Sequence, residues 1–303
     1  MEEMNSDRRT EVSLRPTAGW HVGHYFYRFN RIQLRNLGTS ELSDGCREFA
    51  TVLDPGSAGA PSRLQTLVTN GHKADFGVIA LDGDPLVVHG VHQRLLSCPL
   101  GSALIAAWSF VSLTEVSEYV PTLEQYGRQL ASQGMDAGGP EYRAKLRQFE
   151  RRLEIMTRRR LNPDLPVWPA VCFYPMNRRR SAEGNWFLLD FAERERLMSQ
   201  HGESGVKYAG KVTQLVTAAM GMDDWEWGVT LWARNPEFLK DIVYRMRFDE
   251  ASARYADFGP FYTGFLASAR EILEHCRIGG RESAAEGHPA NGLAALSAMA
   301  GER

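Results

Sequence analysis

The stretch GVTLWARNPEFLKDIVYRM, residues 228–246, is the most informative part of the sequence about the fold, because an earlier stretch repeats its pattern. GVIALDGDPLVVHGVHQRL begins at Gly77, so an offset of 151 residues brings one stretch onto the other. In both, an apolar run meets a polar-proline pair, Asp84-Pro85 or Asn235-Pro236, and proline is favoured at the first position of a helix. Each stretch therefore predicts a strand followed by a helix, and the chain is predicted to contain two related halves.

The same offset aligns residues 20–28 with residues 171–179. Each half is predicted to run strand, helix, strand, strand, helix, strand, which is the ferredoxin-like βαββαβ unit. The predicted elements of the first half are strands 20–29, 63–70, 74–82 and 106–117, with helices 40–53 and 85–97. Those of the second half are strands 170–176, 207–218, 224–233 and 255–266, with helices 190–201 and 236–247. The predicted class is α+β, with two ferredoxin-like repeats forming a dimeric α+β barrel within one chain.

The repeat also predicts how the chain divides. We expect a first half over 17–120 and a second half, carrying the functional site, over 161–277. Residues 121–160 are predicted to be a linker with a charged helix. Residues 1–16 are expected to form a mobile arm, and 278–303, rich in Gly, Ala, Ser and Glu, a disordered tail.

Composition narrows the class of protein. The chain has 303 residues and a formal net charge of −2, which does not favour a nucleic-acid-binding protein. Its four cysteines form no CxxC pair and are scattered, as is typical of a reducing cytosol. The polar N-terminus does not look like a signal peptide, and the apolar run at 101–113 is too short to span a bilayer. We expect a cytoplasmic protein without a membrane span.

The second half contains a tyrosine on a strand. CFYPMNRRR, residues 172–180, predicts a strand that ends at Pro175, because proline cannot donate a hydrogen bond to a sheet. Tyr174 precedes that proline. An aromatic residue on a half-buried strand is the ordinary interpretation of this position, and a redox role is the alternative.

A histidine follows on a predicted helix. Asp190 predicts the start of a helix that carries His201 at its end, and Gly202 predicts its stop. Leu197 and Met198 share the face of His201. A neutral imidazole on an apolar helical face suits a single axial ligand to heme iron. A histidine at a helix end is more often a core residue or a cation facing the helix dipole, and the residues alone leave both interpretations open.

Several motifs occur in order between residues 170 and 265: CFYPM, NW, HG, YAGKV, DDWEWGVTLWA and MRFDEASARYADFGPFYTG. Together they resemble the coproheme decarboxylases, the peroxide-dependent heme synthases of the chlorite dismutase superfamily. The resemblance implies an oxidoreductase that converts two propionates of iron-coproporphyrin III (coproheme) to vinyls, with hydrogen peroxide as oxidant and heme b as product. It also implies a homo-oligomer, usually a pentamer, and transient contact with the upstream ferrochelatase.

The resemblance assigns roles to individual residues. Tyr174 would be the catalytic residue, acting as a tyrosyl radical, and His201 the axial ligand of the iron. The implied substrate-binding residues are Tyr119, Arg160, Tyr174, Pro175, Met176, Asn177, Arg178, Gln214, Arg247 and Ser252. Relatives commonly carry lysine at the position of Arg178, and arginine cannot readily release a proton.

Two other functions remain open from the sequence. A chlorite-dismutase-like or peroxidase-type heme enzyme would turn over oxidant without losing propionates, but chlorite dismutases carry arginine where this chain has Gln214. Taken alone, Gln214 is also consistent with an ordinary polar residue of a strand. A non-catalytic heme carrier would have no need of Tyr174.

Overall fold

A computed structural model describes residues 12–279 and contains both strands and helices. The strands are β1 His21–Phe29, β2 Arg63–Thr69, β3 Phe76–Asp82, β4 Leu104–Thr114, β5 Ala170–Arg178, β6 Arg180–Ser181, β7 Gly184–Asn185, β8 Val212–Ala218, β9 Trp227–Ala233, β10 Ala256–Phe258 and β11 Tyr262–Leu266. The helices are α1 Arg31–Asn36, α2 Thr39–Val52, α3 Pro85–Ser97, α4 Leu123–Ser132, α5 Pro140–Leu161, α6 Phe191–Val206, α7 Pro236–Met246, α8 Glu250–Tyr255 and α9 Ala269–His275.

The main sheet is antiparallel and closes on itself. Its order is β10-β5-β11-β2-β3-β1-β4-β8-β9, and β9 pairs again with β5. Each half contributes a four-stranded ferredoxin-like sheet, β4-β1-β3-β2 and β11-β5-β9-β8. The halves join where β11 pairs with β2 and where β4 pairs with β8. This confirms the predicted α+β class with two ferredoxin-like repeats, and the strands form a closed ring.

The sequence repeat is visible in the element bounds. Adding 151 to the residue numbers of β3 gives the bounds of β9. The same offset brings the first residue of α3 onto the first residue of α7. Both helices start in the same way, since Asp84 and Asn235 accept hydrogen bonds at 2.9 and 3.0 Å from the backbone N–H two residues later. The Asp-Pro and Asn-Pro pairs are therefore equivalent helix starts.

Hydrophobic side chains cover both faces of the ring. Inside it lie clusters around Phe26, Phe110 and Phe173 and around Val22 and Trp232. On the outer face, the first half packs against α2, α3 and α9, and the second half against α7. Because side chains alternate along a strand, Phe173 points into the ring and Tyr174 points outward.

One boundary prediction is wrong at Pro175. β5 does not end there but continues to Arg178, and it pairs with β9 as far as Met176. Pro175 is tolerated because no strand pairs with it on the side of β5 opposite to β9. β11 pairs up to Phe173, β10 begins to pair at Met176, and at Pro175 only the carbonyl is used on this side, accepting from Gly259 N–H at 2.8 Å.

The end of the histidine-bearing helix also differs from the prediction. Asp190 caps α6 as expected, accepting from Glu193 N–H at 2.8 Å. Gly202 does not stop it, and the helix runs about one turn further, to Val206. The backbone instead turns at Gly210, which has a φ of +76°, so β8 begins at Val212 rather than near 207.

Three further differences concern the connections. The strand predicted over 255–266 is divided into β10 and β11, with Pro260 between them. The linker contains α4 in addition to the charged helix α5, and α4 starts with a capping box of Thr122 and Gln125. Helices α1, α8 and α9 and the hairpin of β6 and β7 were not predicted from the sequence.

The predicted terminal segments lie mainly outside the described residues, which begin at 12 and end at 279. Ile278, assigned to the tail, is buried in the core of the first half. Across 12–279, no helix combines the length and the hydropathy needed to cross a membrane.

Candidate active site

Tyr174 lies on the outer face of the second half. It is 6% exposed and belongs to a cluster with Cys172, Val229 and the α7 residue Leu239. Its ring stacks on Phe261, with the ring centroids 4.6 Å apart. Burial raises the pKa of the Tyr174 phenol well above its usual value, so the hydroxyl is protonated at neutral pH. A buried neutral phenol can lose an electron only together with its proton.

His201 lies on α6 and faces the buried carboxylate of Asp249. Nδ1 of His201 is 3.2 Å from Oδ2 of Asp249, and Oδ1 accepts a hydrogen bond of 2.7 Å from Ser204 Oγ. Burial lowers the pKa of His201, an effect that Asp249 partly offsets and the charge of Arg178 increases. The imidazole is therefore neutral at pH 7, as a metal ligand must be.

Arg178 ends β5 with its guanidinium group inside the site. The group lies 4.0 Å from the ring centroid of Trp186, and its Nη2 atom is 3.0 Å from Sδ of Met198. Burial lowers the pKa of Arg178 to about 10. No carboxylate of residues 12–279 forms an ion pair with this guanidinium. A half-buried guanidinium without an anion partner can bind an anionic ligand through charge-assisted hydrogen bonds.

A buried glutamate fixes the end of the same strand. Glu226 accepts from the backbone N–H of Arg178 at 2.9 Å and forms an ion pair with Arg180. Asn177 accepts from the backbone N–H of Glu226 at 2.7 Å through its Oδ1 atom. The Asn177 side chain is thus engaged in holding β5 against the start of β9. Substrate binding by Asn177 stays a prediction.

Gln214 and Arg247 lie near the outer face that carries Tyr174. Gln214 pairs with Leu231 and lies on the same face of β8 as Val212 and Val216, so it faces the helices of the second half, where it is exposed. The Arg247 guanidinium lies 3.9 Å from the ring centroid of Phe258, and its charge partly offsets the raised pKa of Tyr174. Phe258 also contacts the Tyr174 ring, with the centroids 5.8 Å apart, so Arg247 and Tyr174 flank the same phenylalanine.

The neighbours of Tyr174 on β5 are held by the sheet. Pro175 is buried and contributes its carbonyl to the loop after β10. Met176 is half-buried, pairs with Trp227 of β9, and packs against the outer cluster. Its thioether is available to an apolar ligand on that face.

Tyr119, Ser252 and Arg160 have different surroundings. Tyr119 packs against the cluster that contains Trp186 and Leu197, beside Arg178. Ser252 is buried on α8. Arg160 is exposed at the end of α5, where it partly lowers the pKa of Glu115, which burial raises. Among the described residues Arg160 has no hydrogen bond or ion pair with another predicted site residue.

Sequence reasoning missed Trp186, Asp249 and Glu226 as members of this site. All three occur in quoted motifs, Trp186 in NW, Asp249 in MRFDEASARYADFGPFYTG and Glu226 in DDWEWGVTLWA, so the motifs were noticed but their contacts were not. Trp186 approaches Arg178 from a hairpin, and Asp249 approaches His201 from the start of α8, so neither pairing follows from sequence spacing.

The described part of the chain does not contain a metal-binding cluster of three or more His, Cys, Asp or Glu residues. A lone imidazole fits an iron whose other ligands come from a porphyrin, since such iron needs one protein ligand. The neutral His201, the apolar outer face and the unpaired Arg178 together suit a flat apolar macrocycle that carries iron and carboxylates.

Two concave regions lie away from His201. A groove of about 1550 Å³ between α2 and α9 contains no histidine or tyrosine in its lining. A smaller cavity of about 460 Å³ is lined by Arg180, Phe187 and Glu226 and borders the site from outside. Volume alone does not identify the functional site here, because the large groove offers neither an iron ligand nor an oxidisable phenol.

Comparison with known proteins identifies the family of this chain. The family model described as chlorite dismutase matches residues 43–267. The chain therefore belongs to the chlorite dismutase family.

Within that family, the chain is similar to proteins named coproheme decarboxylase. It is 38% identical to the one from Oceanobacillus iheyensis over 86% of this chain and 96% of the relative. It is 34% identical to the one from Staphylococcus carnosus over the same shares of the two chains. A solved structure of a heme-binding protein from Thermus thermophilus superposes with a TM-score of 0.69 at 32% identity, covering 88% of this chain and 99% of that one.

Proposed function

We propose that this protein is a peroxide-dependent coproheme decarboxylase that produces heme b. The relatives named coproheme decarboxylase support the assignment over most of their length. The observation on which it rests is the half-buried guanidinium of Arg178, which has no carboxylate partner within residues 12–279 and lies near the neutral imidazole of His201. A porphyrin with propionate groups satisfies both side chains at once.

His201 is proposed as the axial ligand of the substrate's iron. Its carboxylate neighbour, Asp249, lies on the Nδ1 side of the ring. A carboxylate in that position favours the tautomer that carries hydrogen on Nδ1, which leaves Nε2 free to bind iron. Bound coproheme supplies the redox chemistry with peroxide, and the protein supplies ligand, carboxylate anchors and phenol.

Tyr174 is proposed to act on the propionate side chains. Its phenol loses an electron and a proton, and the resulting radical takes a hydrogen atom from a propionate. Loss of a second electron and of CO2 leaves a vinyl group. In sum, one propionate, one peroxide and one proton give one vinyl, one CO2 and two water molecules, and the reaction occurs at two propionates in turn.

The anchors proposed for the carboxylates are Arg178, Arg247, Arg160, Tyr119 and Ser252. Arg178 is supported by its half-buried guanidinium, which has no anion partner within residues 12–279, and Arg247 by its position beside the ring that flanks Tyr174. Arginine binds carboxylates with two parallel hydrogen bonds, which orients the ligand as well as holding it. Met176 is proposed to pack on the porphyrin, with Gln214 on the open side of the iron.

The alternatives fit this chain less well. A chlorite-converting enzyme is disfavoured by Gln214, because a neutral amide does not attract an anionic oxidant as arginine does. A heme carrier is disfavoured by Tyr174, because the buried phenol adds nothing to binding that phenylalanine would not supply.

Location and assembly are also proposed. The cysteines of residues 12–279 are free thiols, which is typical of a reducing cytoplasm. By analogy with the family, in which the pentamer is the usual form, we propose that this protein is a homo-oligomer. We also propose transient contact with the upstream ferrochelatase.

Mass spectrometry of the porphyrin tests the proposed reaction. The protein is mixed with coproheme and hydrogen peroxide, and we expect two successive losses of about 46 mass units, the combined mass of CO2 and two hydrogen atoms. Tyr174→Phe should bind coproheme with little change and form about 100-fold less vinyl product, because the phenol is the oxidisable group.

The matched control is Tyr126→Phe. Tyr126 lies on α4 and stacks on Phe149 at 4.2 Å, with no place in the candidate site. Tyr126→Phe should leave the conversion of coproheme unchanged. Full activity of Tyr174→Phe would remove the radical role, and unchanged coproheme in the unsubstituted protein would refute the proposed function.

A further inference from the structure

Trp186 lies on an insertion that the first half of the chain does not repeat. The short hairpin of β6 and β7 follows β5, and Trp186 comes directly after it. The Trp186 side chain is 4% exposed and packs with Leu197, Ala251 and Tyr255. Its backbone N–H donates to the carbonyl of Arg179 at 3.0 Å. The indole is thus held rigidly on one side of Arg178.

Arg178 makes only weak polar contacts of its own. Nη2 is 3.0 Å from the Met198 sulfur and Nη1 is 3.4 Å from the carbonyl of Ala251. Thioethers are poor acceptors, and the second distance is long. The closest strong interaction of the guanidinium is with the indole, at 4.0 Å from its centroid. Tryptophan is the best partner for such cation–π contacts, and the contact strengthens when water is excluded.

We propose that Trp186 is a positioning residue that holds the guanidinium of Arg178 ready for a porphyrin carboxylate. This inference rests on the proposed function. An arginine side chain has many rotamers, and freezing them costs binding free energy when a ligand arrives. A guanidinium already held on a fixed aromatic face keeps most of its five N–H donors free for a carboxylate. Loss of the indole should therefore weaken coproheme binding through Arg178 alone.

A double-mutant cycle tests this. Coproheme affinity is measured by absorbance titration for the unsubstituted protein, Trp186→Leu, Arg178→Gln and the double variant. We expect Trp186→Leu to raise Kd about tenfold and Arg178→Gln to raise it at least as much. The double variant should bind no more weakly than Arg178→Gln. If the two losses multiply, Trp186 acts as packing and the proposal is wrong.

The control is another arginine–tryptophan pair of the same chain. Arg234 lies 4.7 Å from the ring centroid of Trp168, which precedes the first residue of β5 and so lies at the opposite end of that strand from Arg178. Trp168→Leu should leave the affinity for coproheme unchanged. Should Trp186→Leu fail to fold, the cycle is run with Trp186→Phe, which keeps an aromatic face. It should lose less coproheme affinity than Trp186→Leu, and adding it to Arg178→Gln should cause no further loss.

Failure of this inference differs from failure of the proposed function. If the unsubstituted protein converts coproheme while Arg178→Gln binds it normally, the positioning role falls and the reaction stands. If the unsubstituted protein does not convert coproheme, the proposed function falls whatever the cycle shows.

Discussion

At the scale of single residues, Arg178 stands where the family resemblance leads us to expect lysine. Each decarboxylation consumes a proton, and an ammonium group can release one whereas a guanidinium cannot. Burial lowers the pKa of Arg178 to about 10, which still leaves it charged at neutral pH. We therefore infer that Arg178 binds a carboxylate and that protons reach the substrate by another route.

Arg178→Lys should change both binding and the course of the reaction. Coproheme should bind about tenfold more weakly, because one charge-assisted hydrogen bond of about 1.4 kcal/mol is lost. The ratio of the monovinyl intermediate to heme b should fall, because lysine can donate a proton during the second step. Quenched samples analysed by mass spectrometry measure that ratio over time. Superimposable time courses would mean that the identity of the basic residue does not matter.

At the scale of elements, the ring depends on strands from the two halves meeting closely. Gly264 of β11 pairs with Thr69 of β2 and with Val171 of β5. A Cβ atom at 264 would overlap the backbone carbonyl oxygen of Val68. Backbone cannot move aside as the end of a side chain can, so only glycine fits at this junction.

Gly264→Ala should destabilise the protein by about 3 kcal/mol and lower Tm by roughly 10 °C, because the strands that close the ring must separate. Gly90→Ala is the matched control. Gly90 lies in α3 with nothing within 4 Å of an added Cβ, so alanine should stabilise that helix by about 1 kcal/mol. Thermal unfolding followed by circular dichroism measures both. An unchanged Tm for Gly264→Ala would show that the junction can open without cost.

The sequence predicted helices and strands correctly where a single local signal, such as strand alternation or helix capping, was enough. The apolar runs and Asn-Pro or Asp-Pro pairs located β3, β9, α3 and α7, because strand alternation and helix capping are local effects. Pro175 and Gly202 misled the prediction for the opposite reason. A gap between β10 and β11 accommodates the proline, and α6 continues past the glycine, which keeps a negative φ.

At the scale of the whole molecule, a histidine is enclosed inside the ring. His24 is fully buried, with Nε2 2.8 Å from Oγ1 of Thr230 and its ring stacked on Phe173 at 4.1 Å. Burial lowers the pKa of His24 from 6.5 to about 3. The closed ring of strands thus encloses a neutral histidine. When the protein unfolds, this histidine is exposed to water and can be protonated.

Acid should therefore destabilise the protein through His24. Between pH 6.5 and 3 the unfolded state binds a proton that the folded state does not, so stability falls as the pH decreases. The expected slope from this group is about 1.4 kcal/mol per pH unit. His24→Gln should remove that part of the slope while keeping a polar partner for Thr230. Urea unfolding at several pH values measures the slope of the unfolding free energy against pH. Equal slopes for the two proteins would contradict the prediction.

Periodicity and local residue types in the sequence predict the two-fold repeat and the α+β class, whereas the resemblance to a known family is what singles out Tyr174 and His201 for the proposed chemistry. The three-dimensional packing places Trp186 beside Arg178 and Asp249 beside His201, and it leaves the half-buried guanidinium without an anion among residues 12–279. Those contacts join side chains on separate elements, and their proximity is set by how the closed ring packs its helices rather than by spacing along the chain.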